Sequence, residues 1–320
     1  MTTVAAADLA AAPSLDALYS TLHLMHASPG WNKPEPSVWP KPRQHFLATR
    51  WCWEHCKAAL DTAGRLVSTE QAERRNLILY NPTPGNTYAT TSTLVAAYQM
   101  LLPGEKARSH RHTPNALRLI LEGEGAYSVV DGERIDMHPG DVVLTPNWYW
   151  HGHGSIGESP CYWLDGLDVP LVHALGPMFF EPYPTGFQEP EIISVESPLV
   201  FRWEKTQAAL DRAMPDPEDF FGVRIQLGRP ALPTMALYMQ RLATGTQTRP
   251  FQTTANFIYC VLEGSGTSTI DGEEFPWQRG DVVAAPAWRR QAHRAKTDTT
   301  LFSITDEPVL KGAGWLRTTG

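Results

Sequence analysis

The chain has 320 residues, with 27 Lys and Arg against 34 Asp and Glu, so its formal net charge is −7. This acidic balance gives the chain no general attraction to nucleic acid or to anionic membranes, which proteins commonly bind through a basic patch, so neither partner is expected. Hydrophobic residues make up 42% of the chain and charged residues 19%. That composition predicts one large or two medium globular domains and excludes a mostly disordered chain.

Four cysteines are too few to cross-link a secreted scaffold of this length. The N-terminal residues lack the basic segment and apolar core of a secretory signal, and no window approaches the roughly 18 apolar residues of a membrane span. We therefore expect a cytoplasmic protein. The 27 Pro and 24 Gly disfavour long helices and favour short strands joined by turns.

Residues 1–75 are predicted to form an N-terminal helical arm and a connection. Leucines and a methionine recur at three- and four-residue spacing over residues 15–25, which predicts a helix that ends at Pro29-Gly30. Four prolines between residues 31 and 42 predict an extended segment. A second helix is expected over residues 47–60.

From residue 76 onward the hydrophobic period changes. Short apolar runs alternate with turn sequences such as Asp131-Gly132, a pattern typical of a sandwich or barrel. The turns recur in the same order 140 or 141 residues later, where Asp271-Gly272 takes the place of Asp131-Gly132. The sequence therefore predicts an all-β dominated protein with two similar barrels. The predicted divisions are a first barrel over 76–170, a linker over 171–230, a second barrel over 231–310 and a tail over 311–320.

Three histidines of the first repeat have the spacing of a metal site. His110 and His112 are two residues apart on a predicted strand, so their side chains share a face, and His151 follows on a neighbouring strand. The second repeat lacks all three, so the barrel fold does not require them; its residues there are Phe251, Thr253 and Gln291. We predict a metal on the three histidines, with a structural role as the alternative. Imidazole suits Zn, Cu, Fe and Ni, so the ligand set leaves the metal open.

The first repeat resembles the gentisate/salicylate 1,2-dioxygenase family, which also includes 1-hydroxy-2-naphthoate dioxygenases. Three runs carry the resemblance: Pro-Gly-Glu-x4-His-Arg-His-Thr-Pro-Asn-Ala-Leu-Arg from Pro103, Gly-Asp-Val-Val-Leu-Thr-Pro-Asn-Trp-x-Trp-His-x-His-Gly from Gly140, and Trp-Leu-Asp-Gly-Leu-Asp from Trp163. The likeness covers most of the chain. It implies a bicupin, with Fe(II) on the three histidines of the first barrel and a metal-free second barrel, assembled as a homotetramer.

The resemblance also implies a substrate and roles for five residues. The substrate would be a small aromatic hydroxy acid, cleaved by O2 between its carboxyl-bearing and hydroxyl-bearing carbons in an extradiol-type reaction. Arg118 and Gln99 would hold the carboxylate, and Arg74 would lie at the pocket. His153 would hydrogen-bond near the phenolic oxygen or dioxygen, and Asp165 would support the residues that contact the substrate without contacting it itself. A solvated turn histidine is the alternative for His153.

One stretch departs from the family. Gentisate and salicylate enzymes typically have Trp-Ala-Gly where this chain has Val95-Ala96-Ala97, shortly before Gln99. Val in place of Trp removes an aromatic face, and Ala in place of Gly adds a methyl group. We therefore expect a reshaped pocket, in which a 5-substituted salicylate such as 5-nitrosalicylate competes with gentisate and salicylate. Compensation elsewhere in the pocket is the alternative.

Two other function classes stay open from the sequence. The first is a non-oxidative Zn or Mn cupin enzyme, which is disfavoured because Arg118 stands near the place where many metal-binding barrels carry a ligating Glu. The second is a non-catalytic bicupin that binds a ligand. It is disfavoured because such a role does not need three metal ligands.

Overall fold

The structure is a computed structural model that describes residues 4–72, 74–229 and 231–320. The chain divides into an N-terminal unit that ends at residue 43 and a larger unit that covers residues 44–320. The N-terminal unit contains α1 (Ala6–Ala10) and α2 (Leu15–Leu24), which matches the predicted helical arm. Ser14 caps α2, because its hydroxyl accepts a hydrogen bond from the backbone N–H of Ala17.

The larger unit is built mainly of strands. Its helices are α3 (Trp53–Leu66), α4 (Thr69–Ala72), α5 (Val169–Leu175), α6 (Trp203–Arg212) and α7 (Glu307–Gly312). The helix expected over residues 47–60 begins only at Trp53, because the residues before it form a strand. No helix in the described ranges is long and apolar enough to cross a membrane.

The strands fall into two consecutive sets that mirror the sequence repeat. The first set consists of β1 (Thr49–Trp51), β2 (Arg75–Ile78), β3 (Val95–Leu101), β4 (Lys106–His112), β5 (Ala116–Glu122), β6 (Ala126–Val130), β7 (Glu133–Asp136), β8 (Val142–Thr145), β9 (His151–Ser155), β10 (Cys161–Leu167), β11 (Phe180–Pro182), β12 (Ile192–Ile193) and β13 (Val200–Phe201). The second set consists of β14 (Val223–Leu227), β15 (Ala236–Leu242), β16 (Gln252–Thr253), β17 (Phe257–Glu263), β18 (Ser265–Ile270), β19 (Glu273–Gln278), β20 (Val282–Ala285), β21 (Gln291–Ala295), β22 (Thr299–Thr305) and β23 (Thr318–Thr319).

Each barrel is made of two facing sheets. The first barrel combines a sheet of order β13-β8-β5-β10-β3-β2 with one of order β11-β4-β9-β6-β7-β12. The second barrel combines β1-β20-β17-β22-β15-β14 with β19-β18-β21, beside the short pair β16-β23. The predicted all-β bicupin architecture is therefore confirmed. The stretch 171–230, predicted as a linker, supplies three edge strands of the first barrel.

Two strands, β1 and β13, do not pair with the barrel that follows them in sequence. β1 precedes the first barrel, yet it pairs with β20 of the second, where Trp51 lies opposite Val282. β13 leads into the second barrel, yet it pairs with β8 of the first, where Phe201 lies opposite Val142. Each barrel is thus completed by a strand that leads into the other one.

The main hydrophobic core lies where the two barrels meet. It joins outward-facing residues of both large sheets, including Leu117 and Leu164 from the first barrel and Ile258 and Ile304 from the second. At Gly166 a Cβ atom would lie only 2.3 Å from Cδ1 of Ile304, so the close approach of the sheets requires glycine there. Burying these faces against each other holds the two barrels together.

Two matching polar clusters also connect the barrels. Asn115 donates from its backbone and side chain to Asp168 of the first barrel, at 2.8 and 3.0 Å, and Thr234 of the second barrel joins them. Asn256 makes the same two bonds to Asp306 of the second barrel, each 2.8 Å long, and Thr93 of the first barrel completes that cluster. Each barrel thus supplies a threonine to the cluster of the other barrel, so the two clusters are related as by an internal two-fold axis.

Candidate metal and substrate site

The three predicted metal ligands meet inside the first barrel. His110 and His112 lie on β4, and His151 lies on β9 directly opposite His110. The ring centroids are 4.4 Å apart for His110 and His151 and 4.8 Å apart for His112 and His151. One nitrogen from each ring lies within 4.8 Å of the other two, and all three side chains are buried. This geometry can hold a metal ion and leave further coordination positions open.

Two of the rings are held in the orientation that a metal ligand needs. Nδ1 of His112 lies 2.7 Å from the carbonyl oxygen of Pro114, and Nδ1 of His151 lies 3.0 Å from that of Tyr149. A carbonyl oxygen only accepts, so each Nδ1 carries the proton and each Nε2 keeps its lone pair. Nε2 of His151 is buried and has no hydrogen-bond partner among the described residues. The donor set therefore fits a metal.

The third ring, His110, is held differently. Nη2 of Arg74 lies 2.9 Å from Nδ1 of His110 and also donates to the carbonyl oxygen of Arg108 at 3.2 Å. Because a guanidinium only donates, Nδ1 of His110 is the acceptor in this contact. Arg74 therefore lies at the edge of the site, next to one of its ligands.

Burial keeps the imidazoles neutral. It lowers the pKa of His112 to about 4, and the positive charges of Arg74 and Arg118 act in the same direction. Burial likewise lowers the pKa of His110 and of His151, again with the two arginines adding to the effect. A neutral imidazole is the form that binds a metal, so burial favours metal binding by these rings at neutral pH, and the bare Nε2 atoms of His112 and His151 are already available for it.

A buried ion pair lies across the barrel from the strand that carries His110. Arg118 on β5 and Asp165 on β10 are opposite each other in the sheet, and Nε of Arg118 lies 3.5 Å from Oδ1 of Asp165. Arg118 also donates to the hydroxyl of Thr145, and Trp163 donates to Asp165 at 3.1 Å. Burial raises the pKa of Asp165 to about 6, although Arg118 opposes that shift. Arg118 is thus a cation enclosed beside the three histidines.

The other predicted substrate residues lie on β3. Val95, Ala97 and Gln99 alternate along this strand, so they share the face opposite to that of Ala96 and Tyr98 in the inter-barrel core. Ala97 lies directly opposite Asp165 on the neighbouring strand. Nε2 of Gln99 is buried and has no hydrogen-bond partner in the described ranges. β3 therefore presents one free amide and two small side chains to the barrel interior.

His153 is a buried residue of β9, 3% exposed, so the alternative of a solvated turn histidine is wrong. It faces the same side of the strand as His151, and their ring centroids are 6.2 Å apart. Its Nδ1 lies 2.9 Å from the hydroxyl of Ser128, while its Nε2 is buried and has no partner in the part of the chain that the structure describes. Burial lowers its pKa well below the usual value.

Three residues of the site escaped the sequence analysis. Ser128 holds His153, and its counterpart Ser268 in the second repeat was the available signal. Thr145 accepts from Arg118 and lies within a family motif, but nothing in the sequence showed its partner. Phe180 on β11 packs its ring 4.8 Å from that of His110, and no sequence signal pointed to it.

The second barrel keeps a polar interior without the ligand set. The positions equivalent to the three ligands hold an aromatic ring, a hydroxyl and an amide, those of Phe251, Thr253 and Gln291, each 2% exposed or less. By strand register the equivalents of Gln99, Arg118 and Asp165 are Gln240, Tyr259 and Ser303. Among the described residues, the histidine cluster with metal-ligand geometry lies in the first barrel.

Comparisons with known proteins agree with this geometry. Residues 97–168 match the Cupin domain family. A gentisate 1,2-dioxygenase of Streptomyces sp. is 35% identical over 95% of each chain, and a 5-aminosalicylate 1,2-dioxygenase of Comamonas sp. is 32% identical over 95% of this chain and 89% of that protein. The crystal structure of a salicylate 1,2-dioxygenase from Pseudaminobacter salicylatoxidans is 29% identical, with a TM-score of 0.87 over 96% of this chain and 97% of that one. The chain therefore belongs to the gentisate/salicylate 1,2-dioxygenase family of bicupin proteins.

Proposed function

We propose that this protein is an Fe(II)-dependent dioxygenase that opens the ring of a salicylate-type acid. Both atoms of O2 would enter between the carboxyl-bearing and the hydroxyl-bearing carbon. Family membership supports the ring-cleaving reaction, and the single observation that carries the substrate class is Arg118, a buried cation beside three buried neutral imidazoles. Such a substrate needs only one ring hydroxyl, so the designation extradiol, which presumes two, does not enter the proposal.

The three histidines would hold the iron. His112 and His151 present Nε2 lone pairs, and His110 completes the set on the same barrel wall. When bound, Fe(II) supplies the redox chemistry that lets an aromatic ring react with O2, and the protein supplies binding, orientation and electrostatics. The three ligands of this cluster are all neutral, so none of them would repel the carboxylate of a substrate that approaches the metal.

The substrate carboxylate would be bound by three side chains of this barrel. Arg118 offers a guanidinium, Gln99 offers an amide N–H that has no partner among the described residues, and Arg74 provides a second cation at the edge of the site. A charged hydrogen bond to a carboxylate contributes about 1.5–3 kcal/mol. These groups would fix the acid in one orientation and exclude water from its charged end.

Two further residues would act at the two ends of the acid. Nε2 of His153 lies buried near His151 and is free to hydrogen-bond to the phenolic oxygen. Asp165 would hold Arg118 in place through their ion pair. His153 would thus act at the hydroxyl end of the acid, and Asp165 would act at the carboxylate end through Arg118.

We propose that a 5-substituted salicylate is accepted at least as well as gentisate. Val95 and Ala97 line the interior face of β3, and a valine leaves room that a larger aromatic residue would fill. One family member named above acts on 5-aminosalicylate, which carries such a substituent. The pocket of this chain is therefore suited to bulk at the ring position opposite the hydroxyl.

Oxygen uptake tests the proposal directly. The protein is reconstituted with Fe(II) without air and mixed with gentisate, salicylate, 5-nitrosalicylate or 5-chlorosalicylate, and O2 consumption and the ring-opened product are followed. We expect uptake with at least one acid, and its loss together with iron in His110→Ala. The exposed His138, which contacts Glu124, gives the matched control His138→Ala. No uptake with any acid would refute the proposal.

We also propose that the protein assembles as a homotetramer. The described chain exposes large apolar side chains that a monomer would leave in water, among them Trp31, which is 73% exposed, and Phe179 and Phe180, which are 57% and 56% exposed. Light scattering coupled to size exclusion measures the mass. A monomeric mass at micromolar concentration would contradict the proposal.

A further inference from the structure

The two barrels contain the same serine–histidine pair. On β6 and β9 of the first barrel, Ser128 lies opposite His153, with 2.9 Å between Oγ and Nδ1. On β18 and β21 of the second barrel, Ser268 lies opposite His293, also with 2.9 Å between Oγ and Nδ1. All four side chains are at most 3% exposed. In both pairs Nε2 of the histidine is buried without a partner among the described residues.

The third member of each group differs. Sδ of Met137 lies 3.3 Å from Oγ of Ser128, whereas Nε1 of Trp277 donates to Oγ of Ser268 at 2.9 Å. Met137 and Trp277 are equivalent in the repeat, 140 residues apart. A thioether sulfur can only accept a hydrogen bond, and an indole N–H can only donate one. The two serines therefore face neighbours of opposite hydrogen-bonding character.

In the first barrel, the sulfur of Met137 decides which atom accepts the hydroxyl proton of Ser128. If Ser128 donates to Met137, its oxygen is free to accept from Nδ1–H of His153, and both contacts become hydrogen bonds. If Ser128 instead donates to Nδ1, the sulfur is unused and a buried Nε2–H has no acceptor in the described chain. An unpaired buried donor is unfavourable by about 1–3 kcal/mol, so the first arrangement is favoured.

In the second barrel the same count leaves the two arrangements equal. Trp277 already donates to Ser268, so the serine proton has only Nδ1 of His293 to bind. Donation to Nδ1 uses that proton and leaves the single proton of the imidazole on Nε2. The reverse arrangement leaves the serine hydroxyl proton buried without an acceptor, just as the first leaves Nε2–H of His293 without one in the described chain. The Nε2–H tautomer, which a free neutral imidazole prefers, is therefore favoured. Burial lowers the pKa of His293 to about 4, so this ring is neutral and has one proton to place.

We propose that Met137 and Trp277, acting through Ser128 and Ser268, set opposite tautomers of the two equivalent histidines. His153 carries its proton on Nδ1 and presents the Nε2 lone pair to the site, whereas His293 carries its proton on Nε2. Ser128 and Met137 are thus positioning residues for His153. Resting on the proposed function, this tautomer makes Nε2 of His153 a hydrogen-bond acceptor for the substrate hydroxyl.

Nitrogen NMR of the full-length protein tests the assignment without any turnover. The protein is labelled with 15N-histidine and loaded with Zn(II), which is diamagnetic, and the variants His153→Asn and His293→Asn identify the two rings. We expect a protonated Nδ1 and a bare Nε2 for His153, and the reverse for His293. The same tautomer in both rings would overturn the inference.

Variants of the third residue test its cause. Trp277→Met copies the first barrel and should move the proton of His293 to Nδ1, whereas Trp277→Phe removes the indole N–H without adding an acceptor and should leave it on Nε2. Met137→Leu, a volume-conserving change, should move the proton of His153 to Nε2. If Trp277→Met and Trp277→Phe give the same tautomer, or if Met137→Leu leaves His153 unchanged, the residue at this position does not set the proton.

The activity arm separates this inference from the proposed function. With Fe(II) and the best acid, Met137→Leu should lower kcat about tenfold to a hundredfold while KM and iron content change less than about threefold. A tautomer shift without a change in kcat would deny the acceptor role of His153. If no acid is consumed by the unmodified protein, the proposed function fails, but the NMR assignment is still decided.

Discussion

The backbone N–H of Trp53 donates a hydrogen bond of 2.8 Å to Oδ1 of Asp281, which lies 228 residues further along the chain. Trp53 is the first residue of α3, and its N-cap, Cys52, supplies no side-chain acceptor. The N–H of Trp203, the first residue of α6, donates in the same way to Asp141 at 2.8 Å. Each helix is therefore capped by the barrel to which its preceding strand is added, since β1 pairs with β20 and β13 with β8.

Removing the two capping aspartates should lower stability by different amounts, with the larger loss at Asp141. Asp141 is 2% exposed and also binds Arg202 at 2.6 Å, whereas Asp281 is 3.4 Å from Arg50, whose side chain is 33% exposed. Asp141→Ala should lower the free energy of unfolding by about 3 kcal/mol, because it removes a cap and the charged hydrogen bond to Arg202. Asp281→Ala should lower it by about 2 kcal/mol.

Urea unfolding followed by tryptophan fluorescence measures both changes. Asp211 pairs with Arg241 at the surface, where its side chain is 64% exposed, so Asp211→Ala is the control and should change the unfolding free energy by less than about 1 kcal/mol. If Asp141→Ala were as mild as Asp211→Ala, the strand–helix units would not depend on these caps.

The repeat and the histidine spacing were enough to predict the fold class and to bring His110, His112 and His151 together. Turn sequences and period-two spacing are local signals, and a repeat supplies an internal comparison. The exchange of β1 and β13 between barrels could not be predicted, because pairing between strands about 230 or 60 residues apart leaves no local periodicity. For the same reason the sequence analysis identified Arg118 and His153 but not their hydrogen-bond partners Thr145 and Ser128, which lie on other strands.

Arg118 is expected to control both affinity and stability. Arg118→Met removes the cation that would bind the substrate carboxylate, so KM should rise about 10- to 100-fold with a smaller change in kcat. It also leaves the buried Asp165 without its ion-pair partner, which should lower the free energy of unfolding by about 3 kcal/mol. Steady-state kinetics and urea unfolding measure the two effects.

Two controls accompany this variant. Arg111 lies between the ligands His110 and His112 but pairs with Glu181 at 2.7 Å outside the barrel, so Arg111→Met should leave KM within about threefold. Adding Asp165→Asn to Arg118→Met should restore stability but not KM. An equal rise in KM for both arginine variants would argue against a carboxylate site at Arg118.

The raised pKa of Asp165 predicts that the stability of the protein depends on pH. Burial raises its pKa from 3.8 to about 6, so the folded protein holds this proton more tightly than the unfolded chain does. The resulting contribution to stability is complete below pH 4 and is lost as pH rises through 6. It amounts to about 3 kcal/mol for a shift of this size.

The variant Asp165→Asn has no proton to lose. The difference in unfolding free energy, wild type minus variant, should therefore fall by about 3 kcal/mol between pH 4 and pH 7. Urea unfolding at half-unit pH intervals measures the difference. A difference that stays constant, or that rises with pH, would show that Asp165 is ionised in the folded protein throughout this range.

Arg74 should oppose metal binding while assisting substrate binding. Its guanidinium donates to Nδ1 of His110, so the single proton of that neutral ring stays on Nε2. In His112 and His151, by contrast, Nε2 is unprotonated and can bind a metal. Arg74→Met should therefore bind Zn(II) more tightly than the wild type, by about threefold to tenfold, yet show a higher KM for the acid. Competition with a chelator measures the first effect and steady-state kinetics the second. Weaker metal binding in Arg74→Met would mean that Arg74 supports the site instead.

Val95 and Ala97 are expected to set the choice among ring substituents. Both face the barrel interior on β3, and Ala97 lies opposite Asp165. Val95→Trp fills the space that a 5-substituent would occupy, so kcat/KM for 5-chlorosalicylate should fall at least tenfold relative to salicylate, which has only hydrogen at that position. Ala97→Gly removes a methyl group and should shift the same ratio by a smaller factor. Ala96, on the opposite face in the inter-barrel core, provides the control Ala96→Gly, which should lower stability and leave the ratio unchanged. If Ala96→Gly moved the ratio as far as Val95→Trp does, strand flexibility rather than pocket volume would govern specificity.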